Sequence, residues 1–243
     1  IELNLAATIG KMNYFGTSGD LLITNYKNVR QLFGKLKYNY VNYSISLSAI
    51  NGLIGETALE SKTKNMGIDW NSIDVDAQSF WDITEKNILL AGLNARHTTS
   101  KSLAFFNSSS EKHQQFIAAF LHNTYNLTND LAIVSALRYD IFKHPNEEIL
   151  SPQLAINYKI SDADILKFNI SEAARIPFII EQELNSVVNI PADNPNAAIF
   201  SFKGNTNLNP SRLREYEISY SRDLNKNNKL QCNIFHSRSR DDI

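Results

Sequence analysis

The sequence has few of the residues that build several common kinds of site. Its single cysteine, Cys232, excludes an internal disulfide and any zinc or iron–sulfur site held by clustered cysteines. The 24 lysines and arginines are balanced by 25 aspartates and glutamates, so the chain lacks the basic excess of a nucleic-acid-binding protein. Its 9 glycines and 6 prolines are too few for a collagen-like or low-complexity chain. No run approaches the roughly 18 consecutive apolar residues of a membrane-spanning helix.

What the sequence does contain is alternation of apolar and polar residues. In residues 215–222 the apolar members are Tyr216, Ile218 and Tyr220, and the residues between them are polar. Successive side chains of a strand point to opposite faces, so this segment has one apolar and one polar face. About eleven segments, mostly of roughly 8–12 residues, follow such a pattern: residues 2–9, 32–40, 42–49, 75–83, 89–97, 116–125, 131–141, 153–160, 166–171, 215–222 and 230–237.

The connections between these segments alternate in length. The short ones are rich in Asn, Asp, Ser and Lys, as hairpin turns require: residues 39–41, 84–87, 126–130, 161–164 and 223–228. The longer ones are residues 10–29, 51–74, 98–112 and 175–212, with 144–150 as a short member of this second set; residues 51–64 have room for a short helix. Hairpins with every short turn at one end predict an all-β fold, an antiparallel up-and-down β-barrel of the outer-membrane type.

Alternation also occurs in a soluble barrel or sandwich, where the apolar face forms the core. Three features favour the membrane. The predicted strands match the roughly 9–11 residues that cross a bilayer at a tilt. The apolar faces carry almost no charge, which would cost about 2–4 kcal/mol at the bilayer midplane; His122 and His236 depart from this pattern. Tyrosines lie near strand ends, where an aromatic girdle would sit: Tyr38, Tyr40, Tyr43, Tyr125, Tyr139, Tyr158, Tyr216 and Tyr220.

Five ordered segments resemble the barrel of TonB-dependent outer-membrane receptors. Residues 136–140 (ALRYD), 151–158 (SPQLAINY) and 172–177 (EAARIP) resemble the family's G-x-R-Y-D, S-P-R-x-A-L-x-Y and x-A-x-R-x-P elements. The others are residues 204–220, which resemble G-N-P-x-L-K-P-E followed by S-Y-E-x-G-Y, and residues 233–243, which resemble the next strand. Gln153 stands where the family usually has Arg, and Ser211 where it usually has Glu.

This resemblance implies an active importer in the outer membrane of a Gram-negative bacterium. Such receptors have about 22 strands and an N-terminal plug that contacts the TonB energy-transducing complex. They take up scarce nutrients such as siderophore-bound iron, haem, cobalamin or glycans. Residues 1–243 would supply about half of that barrel, without the plug, as a piece of a longer protein. By itself such a piece should form a curved open sheet, or a barrel closed on too few strands, because its two edges lack partners.

Two other functions remain open from the sequence. One is a passive outer-membrane porin or channel, and the other is a soluble β-rich adhesin or binding module. Catalysis is not expected: His97 with Ser100, or His144 with Asp140, could build a site at the rim, but rim histidines are more often plain polar loop residues. No metal site or cofactor is expected either, because no two of the five histidines have a metal-ligand spacing: His97, His113, His122, His144 and His236.

The predicted lumen carries charges of both signs. Its basic residues are Lys35, Lys37, Arg96, Arg138, Lys159 and Lys167, and its acidic residues are Glu2, Asp76, Asp82, Asp140, Glu215 and Glu217. We interpret them as a hydrated, salt-bridged wall; the alternative is a track for an anionic ligand. The candidate ligand contacts are loop aromatics, which are able to stack on a small nutrient: Trp70, Phe105, Phe106 and Phe178.

Overall fold

The computed structural model describes residues 1–15, 23–55, 67–144, 146–189 and 199–241. Eleven strands form one sheet, and it includes all eleven predicted segments: β1 (Glu2–Phe15), β2 (Ile23–Tyr40), β3 (Tyr43–Gly55), β4 (Ile68–Thr84), β5 (Asn87–Lys101), β6 (Lys112–Asn126), β7 (Leu131–Lys143), β8 (Glu147–Lys159), β9 (Asp164–Arg175), β12 (Ser211–Asn225) and β13 (Asn228–Arg240). Two short strands, β10 (Asn185–Asn189) and β11 (Ile199–Lys203), form a separate hairpin. The helices are α1 (Leu103–Phe106) and α2 (Ile179–Glu183).

The eleven strands follow the chain order from β1 to β9 and continue with β12 and β13, and every neighbouring pair is antiparallel. This confirms the predicted up-and-down meander. Within the described residues β1 and β13 do not pair with each other, so the sheet is an open, partial barrel. An open sheet is one of the two outcomes expected for a half-barrel, since its edge strands have no partner to close on.

Cross-strand register gives the sheet two chemically different faces. Ile218 of β12 lies opposite Phe168 of β9 and Ile234 of β13, which defines the outward face. The next residue, Glu217, lies opposite Asn169 and so points to the other, inward face. Ile218 is 50% exposed whereas Glu217 is half-buried. The apolar face is therefore the exposed one, as predicted, and in the described part of the chain it is not folded against a second layer.

The strands are longer than the alternation predicted. They run for 18 residues in β2 and 17 in β4, so residues 10–15 and 23–29 of one predicted loop, and 51–55 and 68–74 of another, are strand. In water, backbone pairing continues beyond the apolar stretch while both faces become polar, which removes the alternation that marks a strand. The predicted short helix at 51–64 is wrong for residues 51–55, which belong to β3. Residues 56–64 lie outside the described part of the chain.

Five short turns lie at one end of the sheet, as predicted: residues 41–42, 85–86, 127–130, 160–163 and 226–227. We call this end of the strands the turn end, and the opposite end of the strands the loop end. At the turn end the Lys159 ammonium lies 2.5 Å from Asp162, and this hydrogen-bonded ion pair lowers the pKa of the Asp162 carboxyl.

The connection between β9 and β12 is more ordered than the loop that the sequence predicted, since α2, β10 and β11 all lie within it. Lys112 of β6 donates to Glu183 at 2.7 Å, and Gln114 of β6 donates to the Pro177 carbonyl at 2.9 Å. These bonds hold the start of the connection over the inward face. Neither helix of the described chain has the length and apolar character that a membrane span requires.

Candidate ligand-contact region

Arginines and phenylalanines meet on the inward face toward the loop end. Arg96 of β5 and Arg138 of β7 both lie over the Phe116 ring, with guanidinium carbons 5.3 and 6.0 Å from its centroid. The Phe142 ring centroid is 5.3 Å from that of Phe116. Antiparallel register brings these residues together, because Arg96 and Phe142 each lie directly opposite Phe116. We call these four residues the inner Arg–Phe cluster.

Both arginines of the cluster are paired with carboxylates. Arg96 donates to Asp74 at 2.8 Å, and Arg138 donates through two nitrogens to the buried Asp140, at 2.7 to 3.0 Å. Fork-shaped pairing of this kind fixes a guanidinium more firmly than a single hydrogen bond does. Paired arginines keep their faces available for aromatic contacts, while their charge is compensated.

A third arginine, Arg175, lines one inward cavity together with Arg96 and Arg138. Arg175, at the end of β9, lies 5.3 Å from the centroid of the Phe178 ring, and its guanidinium donates to Glu181 of α2 at 3.1 Å. The Glu181 carboxylate also accepts from the Phe178 backbone at 2.7 Å. This short network sets where Phe178 stands at the rim of the cavity.

The cavity between the inner Arg–Phe cluster and Phe178 measures about 560 Å³. Its remaining lining includes neutral donors and acceptors and one buried apolar side chain: Ser72, Thr98, Gln114, Ser151 and Ile149. The three arginines are matched by three carboxylates within the same networks. The cavity thus offers aromatic faces and polar groups, and its positive charges are balanced by negative ones. This supports the interpretation of a salt-bridged wall and not that of a track for an anionic ligand.

A second inward cavity, of about 410 Å³, lies nearer the turn end. Its charged lining residues are Lys167, Glu217 and Lys229, with amides such as Gln153 and Asn169 around them. Five of the twelve predicted lumen residues therefore line these two inward cavities, again with both signs together: Arg96, Arg138, Asp140, Lys167 and Glu217. His122, which departs from the apolar pattern, also lies inward, opposite Leu90 and Ala136.

The four predicted aromatic contacts lie in three different settings. Phe178 is 60% exposed and lines the larger cavity. Phe106 is only 3% exposed, and the Ser102 hydroxyl caps α1 by accepting from the Phe105 amide, so these two aromatics form part of the α1 turn. The loop position predicted for Trp70 is wrong: Trp70 lies inside β4, with its indole against Gly52 of the neighbouring strand.

Sequence reasoning did not single out Phe116 and Phe142 as candidate contacts, because both lie within strands. The sequence signal that could have identified them is an aromatic residue that alternates with the polar residues of a strand, opposite an arginine on the neighbouring strand.

The sequence also did not reveal that His97 and His113 stack, with ring centroids 5.7 Å apart. In the described part of the chain, no three His, Cys, Asp or Glu side chains come together to hold a metal ion.

The family model of the TonB dependent receptor-like β-barrel matches residues 4–243. The chain belongs to this family. The five segments that resemble the TonB-dependent receptor barrel are thereby confirmed as family sequence, and the partial antiparallel barrel is the fold that the family has. The members of this family are transport receptors of the Gram-negative outer membrane. No curated protein matches the chain.

Solved structures of TonB-dependent receptors have the same fold. The siderophore receptor PirA from Acinetobacter baumannii superposes with a TM-score of 0.68 at 14% identity, over 88% of this chain and 35% of its own. A G324V mutant of the ferric enterobactin receptor PfeA from Pseudomonas aeruginosa gives 0.68 at 10% identity, over 87% and 34%. The copper transporter OprC gives 0.59 at 12% identity, over 92% and 41%. The chain thus spans about a third of the length of the first two.

Proposed function

We propose that residues 1–243 form part of the membrane-spanning barrel of a receptor that imports a scarce nutrient across the Gram-negative outer membrane. The observation that carries this proposal is the exposed apolar outward face, on which Ile218, Phe168 and Ile234 lie side by side. Such a face is unfavourable in water and favourable in hydrocarbon. Energy would come from the TonB complex, through a plug domain that the longer protein supplies.

The nutrient itself is proposed only as a class. Siderophore receptors and a copper transporter occur among the structural neighbours, which supports a small metal chelate as the ligand. The larger inward cavity supports a ligand that has aromatic or planar groups and hydrogen-bonding atoms, because Phe178, Phe116 and neutral polar side chains line it. We expect Phe178 to contact the ligand at the loop end.

The test is uptake by cells that carry or lack the full-length gene, with labelled ferric siderophores, haem, cobalamin and a copper chelate as probes. We expect one class to be taken up only when both the receptor and TonB are present. Uptake that needs the gene but continues without TonB would instead indicate the passive channel. A full-length protein that is recovered in water without detergent would indicate a soluble binding module.

A further inference from the structure

One side chain of β6, Gln114, connects two segments of the loop end that are far apart in sequence. Its Nε2 group donates to the Pro177 carbonyl at 2.9 Å and to the His144 carbonyl at 3.3 Å. Pro177 lies just after β9, whereas His144 directly follows β7, in the turn that leads to β8. A single amide therefore fastens both connections to the inner wall of β6.

The two partners of Gln114 fix the orientation of its amide. Both are backbone carbonyls, which only accept hydrogen bonds, so the NH2 group and not the oxygen points at them. The amide oxygen is then the group that remains for the cavity that Gln114 lines. His144 has a left-handed backbone, with φ of 67°, which residues other than glycine seldom adopt. A bond that holds its carbonyl stabilises this turn.

Phe178 stands out from a buried stretch of the chain. Pro177 is fully buried and Ile179 is 9% exposed, whereas Phe178 between them is 60% exposed. A second amide, that of the buried Gln182, donates to the same Pro177 carbonyl at 3.4 Å. Because both of its neighbours are held, the backbone of Phe178 has little freedom before a ligand arrives.

The helix that begins after Phe178 is held to β6 at both ends. Gln114 bonds the residue before the N-cap of α2, and Lys112 donates to Glu183, the last residue of α2, at 2.7 Å. Lys112 and Gln114 are two positions apart on one face of β6, a distance of about 6.6 Å. The five residues of α2 cover about 7.5 Å. The two lengths are similar, which allows both anchors to form at once.

We propose that Gln114 is a positioning residue for the ligand cavity: by holding the Pro177 carbonyl, it fixes Phe178 at the cavity rim before the ligand binds. This inference rests on the proposed function, because it takes Phe178 as a contact of the imported nutrient. A contact whose conformation is set in advance loses less entropy on binding. Gln114 thus acts on the ligand through the exposed ring of Phe178, although the two residues are 64 positions apart in sequence.

The first test measures hydrogen exchange of the full-length protein in a bilayer, without any ligand. The amides of Glu181 and Gln182 donate to the Phe178 carbonyl at 3.0 and 3.2 Å, so their exchange reports whether this segment is held. Gln114→Met removes both donated bonds and should speed the exchange of these two amides about tenfold. Gln114→Lys, whose ammonium donates to both carbonyls, should retain most of the protection. Gln115→Met, a change on the opposite face of β6, should retain all of it.

The second test asks whether Gln114 acts through Phe178. Uptake of labelled ferric siderophores, haem, cobalamin and a copper chelate is measured in cells that carry the full-length gene. For the probe that the wild type takes up, Gln114→Met should raise the half-saturation concentration about threefold and leave the maximal rate unchanged. In the Phe178→Ala background the same substitution should change neither quantity, because the ring that Gln114 positions is gone.

Unchanged exchange at Glu181 and Gln182 in Gln114→Met would overturn the inference. An equal effect of this substitution on uptake with and without the Phe178 ring would also overturn it, as would the same fast exchange in Gln114→Lys. If Gln114→Met does not fold, Gln114→Asn decides, with an expected increase in exchange of about threefold, because its amide is one methylene short of the carbonyls. A wild type that takes up none of the probes contradicts the proposed function, while hydrogen exchange still decides whether Gln114 holds this segment.

Discussion

The outward and inward faces of the eleven-stranded sheet share one backbone but differ in what covers them. Outward Ile218 is 50% exposed although it is apolar, while its inward neighbour Glu217 is half-buried and accepts a hydrogen bond from Ser219 at 2.8 Å. In a soluble sandwich the exposure of these two residue types would be reversed. In this fold the exposure of a side chain therefore does not indicate whether it is polar or apolar in the usual sense. Its odd or even position along the strand does indicate which face it lies on.

The largest expected effect comes from placing a charge on the outward face. Ile218→Lys should lower the stability of the full-length protein in a bilayer by about 2–4 kcal/mol, because a lysine near the midplane must leave water. Ser219→Lys is the matched control, one residue along and on the inward face, and should have almost no effect. Urea-dependent folding into lipid vesicles measures both. An equal loss for the two variants would remove the distinction between the faces.

Two glycines on adjacent strands sharpen the same comparison. A Cβ at inward Gly52 would lie 2.0 Å from the Trp70 ring, whereas at outward Gly34 the nearest atom, a Leu5 methyl, would be 3.5 Å away. We therefore expect Gly52→Ala to cost about 1–3 kcal/mol as the indole is displaced, and Gly34→Ala to be nearly neutral. The free energies of folding into vesicles measure both. A neutral Gly52→Ala would show that Trp70 does not pack across Gly52.

A smaller effect is expected at the inward cavity. Phe178→Ala should weaken nutrient binding by about 1 kcal/mol, or roughly fivefold, because it removes an exposed aromatic contact at the cavity rim. Phe202→Ala is the control, since Phe202 is also exposed but lies on β11 and does not line the cavity. Titration of the full-length receptor with the nutrient found in the uptake test gives both affinities. Equal affinities would place the ligand elsewhere.

The smallest effect is expected at the turn end. Lys159→Gln removes the ion pair with Asp162, but both side chains are exposed to water, where such pairs contribute little. We expect no measurable change in the urea midpoint of the full-length protein. A clear loss of stability would mean that the turn end is less exposed than the structure shows.

Much of the fold could be predicted because the alternation of apolar and polar residues distinguishes a face suited to lipid from a face suited to water. All eleven main strands and the five short turns follow from it. The strand ends could not be predicted: near the start of β4, Asp69, Asn71 and Ser72 put polar residues on both faces and the alternation disappears. The position of Trp70 depends on Gly52 in another strand, and the inner Arg–Phe cluster depends on the register of three strands. Such partners are distant in sequence, so local patterns do not reveal them.

The most direct test of the outward face is a spin-label scan of residues 215–222 in the full-length protein, reconstituted in bilayers. Labels at even positions, including 216, 218 and 220, should be accessible to oxygen dissolved in the lipid. Labels at the odd positions between them should be accessible to a water-soluble nickel reagent. Equal access of both reagents to every position, or the opposite alternation, would contradict a sheet whose apolar face meets hydrocarbon.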